Sequence, residues 1–342
     1  MQLFVIENNV KLGYSAGRLK VKDATTGETV RDLPFADVEG ISVYGMAQIS
    51  TQLIRSCIEK NIPILLYSND GHYFGHISSS MEEDPVRQKK QVYMTDNLQF
   101  CLTWSKAIIK AKIENSIALL RSMPKIYEFS DEEIAGMRHS LHYLQTASTV
   151  DEVMGFEGNA AKNYFQCLPK LIRVEDFVFR GRSARPPLDP FNSLLSYGYS
   201  SLYRNIIGAI QTVGLDPKFA FLHKLKLGHA ALASDLIEEW RSFIVDRTML
   251  RLVNDGMIDA NGFYPNDAGA IYMQRSTMKL VNDKLSEVLA KNESYFLNVE
   301  DKKRYGFQVA LHKKLLLLVE AIEKGDASIY RPFSYQSLGG AL

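Results

Sequence analysis

Ser78-Ser79-Ser80-Met81-Glu82-Glu83-Asp84-Pro85 is the stretch at which this 342-residue chain changes character. Asp84 can cap a helix whose first turn holds Pro85, a place where the missing proline N–H costs nothing. From there onward apolar residues recur at helical spacing, and the periodicity predicts helices over 85–121, 131–147, 150–168, 189–213, 230–255, 268–291 and 301–325. Upstream of the serines the period is two. The expectation is an α+β chain, with a small β-rich domain over 1–80 and a larger all-helical domain over 81–342.

Within the first 80 residues, Leu19-Lys20-Val21-Lys22 alternates as a half-buried strand does, and Gly13 and Gly17 punctuate the segments before it. Val38 to Tyr44 and Ile62 to Tyr67 are short apolar runs, the second ending in Asn69-Asp70-Gly71. Asp-Gly supplies the positive φ of a tight turn, so Tyr73 to Ile77 should return as a paired strand. One helix interrupts this region. Ser50 can cap it, Leu53, Ile54, Cys57 and Ile58 form its buried stripe, and Asn61 can close it.

Composition narrows the class. Hydrophobic residues at 46% and charged residues at 23% are ordinary for a globular protein of about two domains. The first residues, Met1 to Glu7, lack the basic region and long apolar run of a secretory signal. The longest aliphatic run, Leu315 to Val319, is far short of the roughly 20 residues a membrane helix needs. Cys57, Cys101 and Cys167 form neither a metal spacing nor a disulfide framework. The expected location is the cytoplasm. A formal net charge of +1 gives no overall basic excess of the kind that grips nucleic acid. Between Lys162 and Pro187, however, Lys162, Lys170, Arg173, Arg180, Arg182 and Arg185 face only Glu175 and Asp176, which fits either a phosphate-binding patch or a solvated loop.

Two stretches could carry chemistry. In the first, His223 precedes by a loop a helix holding Asp235, Glu238 and Glu239 at i, i+3 and i+4, with Leu232, Leu236 and Trp240 on its core stripe. Three acids on one turn repel each other unless a cation sits among them; that cation is a divalent metal or a nearby Lys or Arg such as Arg241, or else the acids are simply a wet face. Carboxylates with an imidazole suit Mn²⁺ or Mg²⁺. In the second stretch, Glu157 lies mid-helix among Gly155, Gly158, Ala160 and Ala161. Glycine there costs about 1 kcal/mol relative to alanine, so the pair implies close approach of another element or of a phosphate. His139 and His142, and His72 and His76, read as exposed pairs. Tyr197, Tyr199 and Tyr203 read as a core stripe or as functional residues. No phosphate-binding glycine loop, nucleophilic-serine elbow or zinc spacing is present.

Several motifs in order resemble one family. Glu157-Gly158-x-Ala160-Ala161-x-x-Tyr164-Phe165, then Asn192-Ser193-Leu194-Leu195-Ser196-Tyr197-Gly198-Tyr199 with Leu202-Tyr203, then Gly214-Leu215-Asp216-Pro217 through His223 to Asp235, Glu238, Arg241 and Asp246-Arg247, resemble the CRISPR-associated integrase of the adaptation complex. Val43-Tyr44-Gly45 and Gly71-x-Tyr73-x-Gly75 extend the likeness to the N-terminal region. The resemblance implies an N-terminal β-sandwich used for homodimerisation and a helical catalytic domain. It implies a metal held by Glu157, His223 and Glu238, with Asp235 supporting them or serving as an alternative ligand; removing a supporting residue should cost less activity than removing a ligand. The implied activity is that of a metal-dependent DNA endonuclease and integrase in antiviral defence, inserting short fragments into a repeat array by transesterification. Lys162, Arg182, Arg185, Lys224 and Arg241 are the candidates for phosphate contact, and a small ferredoxin-like partner protein is implied. The alternatives are a stand-alone structure-specific repair nuclease and a catalytically dead DNA-binding scaffold. The Lys- and Leu-rich loop after His223 departs from the Arg and Pro usual in the family.

Overall fold

The computed structural model describes residues 2–5, 7, 9–67, 73–78, 84–290, 296–297 and 304–334. The chain divides into two compact units, Met1–Glu82 and Glu83–Leu342.

The N-terminal unit holds two four-stranded sheets. In the first, β1 (Gln2–Val5), β5 (Gly40–Tyr44) and β7 (Ile64–Tyr67) run parallel, and β8 (Tyr73–Ile77) closes the sheet antiparallel to β7. All five residues of β5 are buried, as expected of a strand covered on both faces. In the second, β4 (Thr29–Pro34), β3 (Arg18–Asp23) and β2 (Val10–Ser15) form an antiparallel meander, with β6 (Ala47–Ile49) parallel to β2 at the edge. The alternation read from Leu19 to Lys22 is real: Leu19 and Val21 are buried and both lysines point outward. One apolar core serves both sheets, with Leu3, Ile41, Val43 and Ile64 from the first and Val10, Leu12, Leu19 and Val21 from the second. Helix α1 (Thr51–Glu59) adds Leu53 and Cys57 to it. Ser50 Oγ accepts from Leu53 N at 3.2 Å, and Asn61 ends the helix at φ +55°. The Asn69-Asp70-Gly71 turn lies outside the described residues.

The C-terminal unit is helical: α2 (Pro85–Thr95), α3 (Leu98–Arg121), α4 (Ala135–Tyr143), α5 (Val150–Cys167), α6 (Pro190–Thr212), α7 (Ala231–Arg241), α8 (Arg247–Asn254), α9 (Arg275–Ala290) and α10 (Phe307–Lys324). Asp84 caps α2 by accepting from Arg87 N at 2.9 Å. The expected long helix over 85–121 is two helices, because Asn97 starts α3 by capping Phe100 N. The run over 230–255 is also broken: Ser242–Asp246 widens into a π-helical turn between α7 and α8. The run over 268–291 begins too early, since Phe263–Pro265 (β9) and Ile271–Met273 (β10) form a hairpin before α9. Asn266 and Gly269, the latter at φ +78°, make that turn. Likewise Arg304–Tyr305 (β12) pairs with Phe296–Leu297 (β11) ahead of α10. Helix α3 is the axis of the unit, packing against α4, α5 and α7. It is buried on most sides and carries polar Lys112, Asn115 and Ser116 into the interior.

Candidate active site

Glu157 sits midway along α5. That helix is fixed at its start by a reciprocal cap in which Thr149 Oγ1 accepts from Glu152 N and Glu152 Oε2 accepts from Ser148 N. Glu238 sits on α7, and its core stripe of Leu232, Leu236 and Trp240 is fully buried. The two carboxylates come from separate helices and meet at one point, the ammonium of Lys112 on α3. Lys112 Nζ donates to Glu157 Oε1 and, at 2.6 Å, pairs with Glu238 Oε2. Arg241, one turn after Glu238, adds a second cation at 3.1 Å. Burial alone would push the Glu238 carboxyl up, but the charges of Lys112 and Arg241 outweigh it and hold it at about 2.

His223 is placed by Asp235. The Asp235 carboxylate is fully buried. Its Oδ2 accepts from Phe221 N (2.9 Å), Leu222 N (3.0 Å) and Trp104 Nε1 (3.1 Å), and its Oδ1 from His223 N and His223 Nδ1, both at 2.9 Å. That pattern fixes both the loop and the ring, and it places the ring proton on Nδ1 so that Nε2 is the free lone pair. Burial lowers the basicity of His223, but the Asp235 bond and the charges of Asp235 and Glu238 overcome this and raise it.

Behind Arg241 lies a buried polar group. Asp246, at the end of the π turn, accepts from Tyr164 OH at 2.6 Å and Tyr199 OH at 2.5 Å. The Arg241 guanidinium lies 4.2 Å from the centre of the Tyr199 ring, and that of Arg182 lies 5.4 Å away. A cleft opens beside these groups, lined by Lys112, Glu157, Ala160, Ala161, Tyr164 and Arg241.

The model of the family described as CRISPR associated protein Cas1 matches residues 3–287. A CRISPR-associated endonuclease Cas1 from Mycobacterium tuberculosis is 40% identical over 329 residues, 96% of each chain. This chain belongs to the Cas1 family. A Cas1 protein from Thermotoga maritima shares the fold at a TM-score of 0.80, with 21% identity over 95% of this chain and 98% of that one. A casposase bound to integration product does so at a TM-score of 0.82, with 24% identity over 98% and 96%.

Not every residue singled out from the sequence lies where its spacing suggested. The three acids of α7 diverge. Asp235 faces the His223 loop, Glu238 faces Lys112, and Glu239 is buried beneath the Cas1 chain's C-terminal segment, accepting from Tyr330 OH and Phe333 N. Among the described residues no set of three His, Cys, Asp or Glu side chains stands ready to hold an ion. A Cβ added at Gly155 or Gly158 would meet no described atom within 4 Å, so neither glycine serves helix packing. Close approach occurs instead at Gly198, where a Cβ would lie 2.4 Å from Val245 Cγ1. The tyrosines divide. Tyr197 is buried and donates to Asn282, Tyr199 faces the site, and Tyr203 holds the start of α7 through Ala230. His139 and His142 are exposed, His76 is half-buried on β8, and His72 lies outside the described residues.

The cations divide as well. Lys162 and Arg185 are exposed. Lys224 is exposed and pairs with Asp151 at 3.1 Å. Arg182 is half-buried and gives its guanidinium to Ser183 O, Asn192 Oδ1 and Ser196 Oγ. Arg241 belongs to the site itself. Lys112 was not anticipated, although it stands on the Trp104, Ile108, Lys112, Ser116 line of α3, where a lysine among buried residues demands a partner. Among the described residues no helix is long and apolar enough to cross a membrane.

Proposed function

We propose that this Cas1-family chain cuts and joins DNA by phosphodiester transfer, inserting short fragments into a CRISPR repeat array, with Glu157, His223 and Glu238 holding Mn²⁺ or Mg²⁺. The observation that carries the reading is the convergence of two carboxylates from α5 and α7 on one buried cationic point, beside an imidazole aimed by a buried carboxylate. The donor set suits the metal: two hard oxygen donors already share a cation, and the His223 ring gives its Nδ1 proton to the Asp235 carboxylate, as metal-bound imidazoles do to a carboxylate or carbonyl. When bound, such a metal would lower the pKa of the attacking hydroxyl and neutralise charge on the phosphate oxygens.

In such a transfer a 3′-hydroxyl oxygen, or water for cleavage, bonds to phosphorus as the P–O bond opposite it breaks, and the departing 3′ oxygen takes up a proton. The chain's own residues supply the setting. Arg241, held by Glu238 and laid on the Tyr199 ring, gives the cleft wall a fixed positive charge. Gly155 and Gly158 leave the surface beside Glu157 bare, so a phosphate backbone can come close. Exposed Lys162, Arg185 and Lys224 would hold the duplex through phosphates without reading bases. The N-terminal unit would pair two copies, and a small ferredoxin-like protein would bridge two such dimers.

The test is incubation with short duplexes and a plasmid bearing a repeat array in Mn²⁺, for wild type and for Glu157→Ala, His223→Ala and Glu238→Ala. Joined and cleaved products should vanish in each variant while the far-ultraviolet spectrum is kept. Near-wild-type turnover of His223→Ala at saturating Mn²⁺ would overturn the ligand set. Cleavage without joining would favour a repair nuclease, and no turnover at all a scaffold.

A further inference from the structure

Resting on the metal reading just given, we propose that Lys112 is a placeholder cation. Its ammonium occupies the meeting point of Glu157 and Glu238 in the metal-free protein and must leave for the divalent ion to load. Three observations carry this. The Lys112 side chain is nearly buried, at 10% exposure, and both of its anionic partners are assigned ligands. Those partners lie on different helices, so the lysine fixes the distance between α5 and α7 as a bridging metal would. Lys112 itself lines the cleft with Ala160 and Ala161, so its unbranched stem stands at the cleft wall and not behind it.

The logic is that of charge. Two carboxylates facing each other with no cation between them would splay apart, and the ligand geometry would be lost until metal arrived. An ammonium holds them together at the cost of competing with the metal. Ammonium and dication repel and cannot share the site. Loading therefore exchanges one cation for the other and turns Lys112 toward the cleft, where a phosphate would meet it. Arginine would serve less well, because a planar fork fits two oxygens of one carboxylate better than one oxygen from each of two.

The test uses full-length protein and reads metal affinity and stability, not turnover. Mn²⁺ binding is measured by electron paramagnetic resonance of the free ion for wild type, Lys112→Met, Lys112→Gln, Glu157→Gln and Glu238→Gln, and melting is followed in chelator and in saturating Mn²⁺. Removing the ammonium should tighten the Mn²⁺ dissociation constant about tenfold or more, roughly 1.4 kcal/mol. It should also lower the melting temperature in chelator and return it to the wild-type value in Mn²⁺. If Lys112→Met fails to fold, Lys112→Gln gives the same readout with a polar side chain in place. Unchanged affinity, with melting lowered equally in both buffers, would make Lys112 an ordinary buried ion pair and overturn the placeholder. The metal reading fails separately, and takes the placeholder with it, if Glu157→Gln and Glu238→Gln bind Mn²⁺ as wild type does.

Discussion

Asp235→Asn changes one atom and should unravel the placement of His223. The native carboxylate accepts five hydrogen bonds, three of them at Oδ2 from Phe221 N, Leu222 N and Trp104 Nε1, and two at Oδ1 from His223 N and Nδ1. An asparagine has one acceptor oxygen. If that oxygen takes the Oδ2 place, its NH₂ group faces two donors of His223. The imidazole can escape by moving its proton to Nε2 and accepting, but the backbone N–H cannot. That buried N–H then loses its partner, at about 1–3 kcal/mol, and the three bonds at the other oxygen lose charge assistance, worth about 1 kcal/mol each. Relief of carboxylate desolvation offsets little, because the five donors already stand in for water. The net is about 4 kcal/mol, or roughly 8–16 °C of melting temperature for a unit of this size.

The assay is thermal melting by circular dichroism in chelator, with Glu157→Gln as the comparison. Glu157 is bonded to Lys112, which keeps Glu238 when Glu157 is neutralised, so no buried charge is left unpaired and that variant should lose less than Asp235→Asn does. The order of the two is the point. A side chain that touches no substrate should matter more to the fold than an assigned ligand, even where its loss costs less activity. Asp235→Asn melting within about 2 °C of wild type, or above Glu157→Gln, would refute the reasoning.

In the metal-free protein the His223 imidazole should titrate above the ordinary value of about 6.5; its stabilising contribution is then complete below that pH and fades as pH rises through the folded value, and a nuclear magnetic resonance titration of Asp235→Asn should show the His223 value falling. Gly198→Ala should cost about 1–3 kcal/mol by overpacking against Val245 and Met249, whereas Gly155→Ala and Gly158→Ala should leave chemical denaturation midpoints unchanged or raised. Lys162→Ala with Arg185→Ala should flatten the slope of log K for duplex DNA against log salt by up to about two units; Arg182→Ala should instead lower the melting temperature and leave the slope alone, and a flattened slope there would move the guanidinium back to the DNA surface.

Much of this was legible in the chain. Asp84-Pro85, the Ser50 cap, the Asn61 exit and the alternation at Leu19 to Lys22 are local signals, and local hydrogen bonding decides them. Glu157 on α5 and Glu238 on α7 stand out by residue type within a periodic helix. What periodicity cannot supply is the neighbour. Asp235, Glu238 and Glu239 share one turn, yet their carboxylates serve a loop, a lysine and the C-terminal segment respectively, because each meets a different element. The glycines beside Glu157 raised the right question, but helix packing is not the answer at that position. The helix breaks at Asn97 and Ser242–Asp246 were missed for a related reason, since apolar spacing runs on through a cap or a wide turn. The hairpin at Phe263 to Met273 did leave a sign, in Asn266-Asp267-Ala268-Gly269.

The π turn connects these details to the chemistry. A single wide turn after Arg241 delays the helix by a residue and brings the Asp246 carboxylate to the hydroxyls of Tyr164 and Tyr199. Asp246 is thereby buried with its charge answered by hydroxyls and by Arg241 and Arg182, although burial still raises its carboxyl. At the site Glu157 and Glu238 face the cations Lys112 and Arg241, beside a His223 whose basicity the Asp235 bond raises. On the proposed reading, the dication takes the place of the Lys112 ammonium between Glu157 and Glu238. The two carboxylates then keep a cation between them in either state, and a buried charge left without one is what makes such groups costly. The two arginines have partners of their own, Arg241 lying on the Tyr199 ring and Arg182 bonded to Ser183, Asn192 and Ser196. The part of the site that moves is a flexible lysine, and the part that aims the reaction is fixed by α5, α7 and the carboxylate of Asp235.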